Sequence, residues 1–226
     1  MHQNMLRIRP QKPRISCVVP AYNEALNLPA VLPAIGRQIA AMTDQFEIIV
    51  VNDGSRDNTL EVANALAVQH PEIVVLDLSR NFGKEAAITA GLEAAVGDVV
   101  ILMDADGQHP TTLLPTMLEK WQEGLDVVYA IRRTRNDQST LHAALTAWFY
   151  RLVNWGSRVK IPRDAGDFRL MDKRVVAALV ALPERNRFMK GLTPGLGFPT
   201  WLWTMSRCPD SKERAALACE GLFVWR

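Results

Sequence analysis

The 226-residue chain has no run of 18 uncharged apolar residues, so no stretch of it is expected to span a bilayer unaided. Its basic start, MHQNMLRIRPQKPR, lacks an apolar core and does not read as a secretory signal. Cysteine is scarce. Cys17, Cys208 and Cys219 are odd in number and lack metal-ligand spacing, which fits reduced thiols in a cytosolic protein. Neither G-x-G-x-x-G nor G-x-x-x-x-G-K-[ST] occurs, so a dinucleotide turn or a P-loop would lack its phosphate cradle. A nucleotide bound here needs a cation to do what glycine amides do elsewhere.

What is present is apolar and patterned. At 48% hydrophobic, the chain can bury one sizeable core. Strand-like runs at 14–20, 46–55, 72–79, 98–104 and 126–131 alternate with helix-like stretches at 24–42, 57–70, 83–96 and 111–124. Pro29 and Pro33 interrupt the first helix, Asp57 is the expected N-cap of the second, and Gly97 the expected left-handed C-cap of the third. The strands are continuous apolar runs, the mark of a parallel sheet covered on both faces. The fold class is therefore α/β, a mostly parallel central sheet flanked by helices, with ligands at the carboxyl ends of the strands.

Those ends are polar: PAYNE (20–24), NDGSRDNT (52–59), SRNFGK (79–84), DADGQHP (104–110) and RRTR (132–135). The fourth is the most telling. Strand positions i and i+2 share a face, so Asp104 and Asp106 stand together at the mouth of the sheet. Two such carboxylates repel unless a cation sits between them, and hard divalent ions such as Mg2+ or Mn2+ prefer oxygen ligands. Charge is also divided along the chain. Residues 1–129 carry nine Lys+Arg against sixteen Asp+Glu, a balance of −7, and residues 130–190 carry thirteen against five, a balance of +8. The basic part suits a phosphorylated partner or an anionic membrane surface. Within it, 139–160 reads as one amphipathic helix with interleaved Trp, Tyr, Arg and Lys. Its pattern suits an in-plane membrane helix and a helix packed on the sheet equally well.

Taken in order, VVPAYNE, VNDGSRDNT, SRNFGKEAAITAG, MDADGQHP and DAGDFRLMD resemble the motifs of family 2 glycosyltransferases of the GT-A, Rossmann-like fold. The resemblance covers roughly residues 14–192. It is nearest the polyprenyl-phosphate branch, and RNRFMKG (185–191) favours the bacterial bactoprenol glucosyltransferases. It implies that Pro20, Tyr22 and Glu24 line the base and ribose pocket and that Asp53 hydrogen-bonds the base. It implies that Asp104, Asp106 and Gln108 hold Mg2+ or Mn2+ and that Arg132 and Arg133 contact phosphate. By the same resemblance Asp167 is a candidate catalytic carboxylate, beside Asp106, and Arg169 grips the acceptor phosphate. Lys84 opposes a helix dipole at its position, a conflict that a bound diphosphate would relieve.

The implied reaction is metal-dependent, inverting transfer of a hexose, glucose by resemblance, from a UDP-sugar to undecaprenyl phosphate. The expected partners are the nucleotide sugar, the lipid phosphate and a membrane surface, with a homo-oligomer admissible and no nucleic acid. The expected location is the cytoplasmic face of the membrane. Residues 1–13 read as a basic segment, 14–192 as the catalytic domain, and 193–226 as an atypical tail standing where this branch has transmembrane helices. Within the tail, SKERAALACEGLFVW reads as a short amphipathic helix. Two other readings stand beside this one. A shortened chain could bind nucleotide sugar or a partner without turnover. VVILMDADG also resembles the opening of a haloacid-dehalogenase-type phosphatase, although that class carries the motif on its N-terminal strand with Ser or Thr after the Gly.

Overall fold

All seven residues of ISCVVPA are buried in β1 (Ile15–Ala21), and apart from Ser16 the strand is apolar because helices cover both its faces. Ile15, Cys17, Val19 and Ala21 enter one core layer, while Val18 enters the other. The computed structural model describes residues 9–132, 165–182, 196–205 and 220–224. After β1 come α1 (Leu28–Ala40), β2 (Phe46–Asn52), α2 (Thr59–Gln69), β3 (Ile73–Asp77), α3 (Lys84–Ala94), β4 (Val99–Leu102), a 3-10 turn (Thr111–Leu113), α4 (Leu114–Gln122) and β5 (Val127–Arg132). Then follow β6 (Ala165–Asp172), α5 (Lys173–Val180), β7 (Thr200–Met205) and β8 (Glu220–Val224). The sheet order is β3-β2-β1-β4-β6-β5-β7-β8. β3, β2, β1 and β4 are mutually parallel, β6 runs antiparallel between β4 and β5, and β8 runs antiparallel to β7.

One core layer lies under α1, α2 and α4, the other under α3 and α5. This is the three-layer α/β arrangement that the continuous strands demand. Sequence and structure differ at several points. α1 begins at Leu28 and runs unbroken to Ala40. Pro29 falls in its first turn, where no backbone donor is missed, and Pro33 follows one turn later without ending the helix. Asn58 occupies the N-cap position of α2 without a side-chain capping bond, and it is Asp57, one residue earlier, that accepts from the Thr59 N–H at 3.1 Å. Gly97 is no left-handed cap: its φ is not positive, and its N–H donates to Ser16 Oγ at 2.8 Å. A Cβ at Gly97 would crowd the Ser16 backbone, which is why glycine stands there.

Both ends of the chain enter this architecture more fully than the sequence suggests. Arg9, in the segment read as separate, has its side chain only 5% exposed. Its guanidinium lies over the Trp121 ring, 4.7 Å from the centroid. β7 pairs in parallel with β5 from Thr200 to Met205, so the presumed tail adds a sheet strand. Residues 220–224 are strand, not the helix expected for them. The basic helix at 139–160 and Arg133 lie outside the described residues, and no helix among the described residues is long and apolar enough to cross a membrane.

Candidate functional site

The carboxyl ends of β1, β2 and β4 open onto a cleft of about 290 Å3. Pro20, Tyr22, Glu24, Asp53, Lys84, Asp104 and Asp106 line it, so most of the residues singled out from sequence come together. Ala21, Asn81, Gly83, Ala87 and Ala105 complete the wall. Two strand-end loops are knitted to each other. The Asn23 N–H donates to Ser55 Oγ at 3.0 Å, the Arg56 N–H to Asn23 Oδ1 at 2.8 Å, and the Glu24 N–H to Thr59 Oγ1 at 2.8 Å.

Asp53 does more than line the cleft. Its Oδ1 accepts from the Phe82 N–H at 2.7 Å and its Oδ2 from the Gly83 N–H at 2.9 Å. The carboxylate thus clasps the loop that leads into α3. Gly83, at φ 96°, takes a left-handed turn that aims both amides at Asp53. Gly54, at φ 59°, lies against that loop, and a Cβ there would collide with the backbone of Arg80 and Asn81. Gly54→Ala is accordingly expected to lower stability by about 2–3 kcal/mol, from left-handed strain and overpacking together. A thermal melt checks this.

Asp104 and Asp106 flank the buried Ala105, but β4 ends at Leu102 and Asp106 lies in a turn, so a turn rather than the expected strand alternation sets the pair at the rim. β6 adds the third carboxylate. Leu102 pairs antiparallel with Arg169, and two further steps along that register set Asp104 beside Asp167. Lys84, the first residue of α3, reaches between them, with Nζ 2.6 Å from Asp104 Oδ1 and 2.6 Å from Asp167 Oδ2. Burial lowers the Lys84 pKa, but hydrogen bonds to the two aspartates and their charges outweigh burial and raise it. Lys84 is therefore an ammonium at neutral pH. Behind Asp104, the His109 ring stacks on Phe168 at 5.0 Å, and its Nδ1 accepts from the Asp104 N–H at 3.3 Å. His109 is not among the residues singled out from sequence. An imidazole facing an aromatic strand residue leaves no local signature.

Asp106 is exposed, and its Oδ1 accepts from the Gln108 N–H at 2.9 Å. Gln108 is exposed and does not line the cleft. Arg169 departs from expectation. Its side chain is fully buried (0% exposed), with the guanidinium 5.9 Å from the Tyr129 ring centroid, so it offers an acceptor phosphate no open face. The cause is strand alternation: Arg169 shares the face of Asp167 but sits two residues deeper in the sheet. Arg132 ends β5 at the same sheet edge as the cleft.

A metal can be fitted to these residues. Among the described residues no three or more His, Cys, Asp and Glu gather into a cage. Mg2+ in nucleotide sites needs one or two carboxylates, with substrate phosphates supplying more oxygens. Asp104 and Asp106, hard oxygen donors on one rim of the cleft, match that requirement.

The profile of Glycosyl transferase family 2 matches residues 16–179. The chain belongs to glycosyl transferase family 2. A bactoprenol glucosyl transferase of Shigella phage SfV is 44% identical over 187 residues, covering 83% of this chain and 61% of that protein. An uncharacterized glycosyltransferase of Synechocystis is 42% identical over 184 residues, covering 81% and 58%. The chain thus spans about three fifths of the length of these curated relatives. A mannosyltransferase from Pyrobaculum calidifontis, solved with GDP-Man and Mn2+, superposes with TM-score 0.57 at 25% identity, over 76% of this chain and 48% of that one. The Mycobacterium tuberculosis glucosyl-3-phosphoglycerate synthase, at TM-score 0.56 and 22% identity over 81% and 64%, shares the fold. In this family 2 domain the acidic rim and the clasped loop lie at the carboxyl edge of the parallel strands, where open α/β sheets bind ligands.

Proposed function

We propose that the protein transfers a hexosyl group from a nucleoside diphosphate sugar to a polyprenyl phosphate, with inversion and with Mg2+ or Mn2+. The observation that carries this reading is the meeting of Asp104, Asp167 and Lys84 at one point beside the cleft. It gathers the charges that such a donor needs at the edge where such a donor would lie. Bactoprenol glucosyl transferases among the relatives support glucose and a bactoprenol acceptor, while UDP follows from the resemblance of the sequence motifs alone. The mannosyltransferase neighbour, with GDP-Man and Mn2+, supports a metal-bound nucleotide sugar.

In this reading Tyr22 and Glu24 flank the base and ribose, and Asp53 uses its remaining lone pairs on the base. Asp104 and Asp106 would hold the divalent ion, which supplies neutralisation of charge growing on the departing diphosphate. A lipid phosphate oxygen forms the new bond to the anomeric carbon as the bond to the diphosphate oxygen breaks. The monoester's second pKa is about 6, so at neutral pH the acceptor is already largely dianionic and needs no strong base. Asp167 then orients the acceptor or the sugar, and Arg132 and Arg133 draw the dianion toward a charged donor. A lipid acceptor puts this chemistry at a membrane surface, the cytoplasmic one by the same reading.

The test is incubation of the full chain with UDP-glucose, undecaprenyl phosphate and Mg2+ or Mn2+, reading lipid-linked product by mass. A lipid-linked hexose that disappears with chelator is expected, and the anomeric proton coupling of that product in NMR should read β. UDP bound in calorimetry without transfer would replace this reading with nucleotide-sugar binding alone.

A further inference from the structure

Lys84 stands where the acidic rim wants a cation. Its ammonium is 2.6 Å from Asp104 Oδ1, an oxygen sealed from solvent, and equally close to Asp167 Oδ2. A lysine that opens a helix faces the positive end of the dipole, so the two acids must offset that placement. Yet Asp104 is also one of the two carboxylates suited to the divalent ion. Two cations held against one oxygen repel each other strongly in a partly buried site.

We propose that Lys84 is an internal counter-ion that competes with the divalent ion for Asp104 and, once displaced, turns to the diphosphate of the nucleotide sugar. The proposal rests on the reading that Asp104 and Asp106 hold such an ion. Lys84 can make the exchange because its side chain is 46% exposed and lines the cleft, and its flexible stem lets the ammonium swing while α3 stays still. A metal arriving alone must evict the lysine with no new anion to receive it. A nucleotide diphosphate supplies that anion, so metal and nucleotide reinforce each other's binding. The same exchange breaks the contact between Lys84 and Asp167.

The test is calorimetric titration of Mn2+ alone into the full chain and into its Lys84→Gln and Lys84→Arg variants, followed by UDP at saturating Mn2+. Lys84→Gln should bind Mn2+ alone about tenfold more tightly, equivalent to ~1.4 kcal/mol. It should bind UDP about tenfold more weakly, because no ammonium meets the diphosphate. Lys84→Arg, whose planar fork grips a carboxylate at two points, should bind Mn2+ alone more weakly than the wild type. The order Gln, Lys, Arg in Mn2+ affinity, with UDP affinity lowest for Gln, is not what partial unfolding produces, since that would weaken both ligands. Mn2+ binding that is unchanged or weaker in Lys84→Gln overturns the proposal. If that variant does not fold, Mn2+ binding by Lys84→Arg as tight as wild type, or tighter, overturns it. Mn2+ bound by the wild type but without the predicted order defeats the counter-ion alone. Mn2+ bound by no form defeats the metal reading beneath it as well.

Discussion

Asp104→Asn is expected to cut sugar transfer about a thousandfold while leaving the fold intact, the scale seen when one preorganised electrostatic group is removed from an active site. The amide keeps the size and shape of the carboxylate. It loses the charge that would hold a divalent ion against a departing diphosphate. The fold should tolerate the change because Asp104 sits at the rim beyond β4 and not within a core layer. Lys84 retains Asp167 at 2.6 Å, so no ammonium is stranded. The melting temperature should therefore stay within a few degrees of wild type. Asp167→Asn should cost less, because a dianionic acceptor does not need its proton taken. The two variants assayed side by side with UDP-glucose and undecaprenyl phosphate decide the matter. Transfer by Asp104→Asn within tenfold of wild type would remove the metal from the reading.

The left half of the sheet was legible because its signals are local. Continuous apolar runs in β1, β2 and β4 can only be buried on both faces, whereas Asp104 and Asp106 reach the rim from a turn beyond β4 and not from strand alternation. β6 was not legible as a strand inserted between β4 and β5. Its antiparallel pairing joins segments some 70 residues apart, and the local text GDFRL says nothing about which neighbours it takes. That insertion is what brings Asp167 to Asp104 and what buries Arg169, a placement that the local text did not signal. β8 was misread because helix-forming residues precede it, and pairing with β7 overrides local propensity. The double hold of Asp53 on Phe82 and Gly83 was hidden likewise, since it depends on a left-handed glycine 30 residues away.

Asp126→Ala should be the most destabilising single change among the described residues outside the hydrophobic core. Asp126 Oδ1 accepts from Arg9 Nη2 at 2.6 Å and from Arg174 Nη2 at 2.7 Å. The Asp126 side chain is only 6% exposed. Arg9 is fixed further by the Leu125 carbonyl at 2.6 Å and by the carbonyl and ring of Trp121. Trp121 in turn donates its indole N–H to Asp172 Oδ2 at 2.9 Å, and Asp172 caps α5 by accepting from the Arg174 N–H. Burial lowers the Arg9 pKa and the charges of Asp126 and Asp172 oppose it, so the buried guanidinium, charged throughout, depends on its acids to offset its lost hydration. Removing Asp126 strands that charge, with Asp172 at 3.8 Å as the acid left to it. Breaking a buried pair from one side costs about 3–5 kcal/mol, which for a chain of this size lowers the melting temperature by roughly 10 °C. Arg9→Met should cost less than Asp126→Ala, since an apolar side chain can still cover Trp121 and leaves Arg174 to pair with Asp126. Equal losses from the two variants would mean that packing of the N-terminal segment, and not the stranded charge, sets the stability of this corner. Nucleotide binding should be unchanged in whatever fraction stays folded, because the cluster adjoins the opposite ends of β4, β5 and β6 from the cleft.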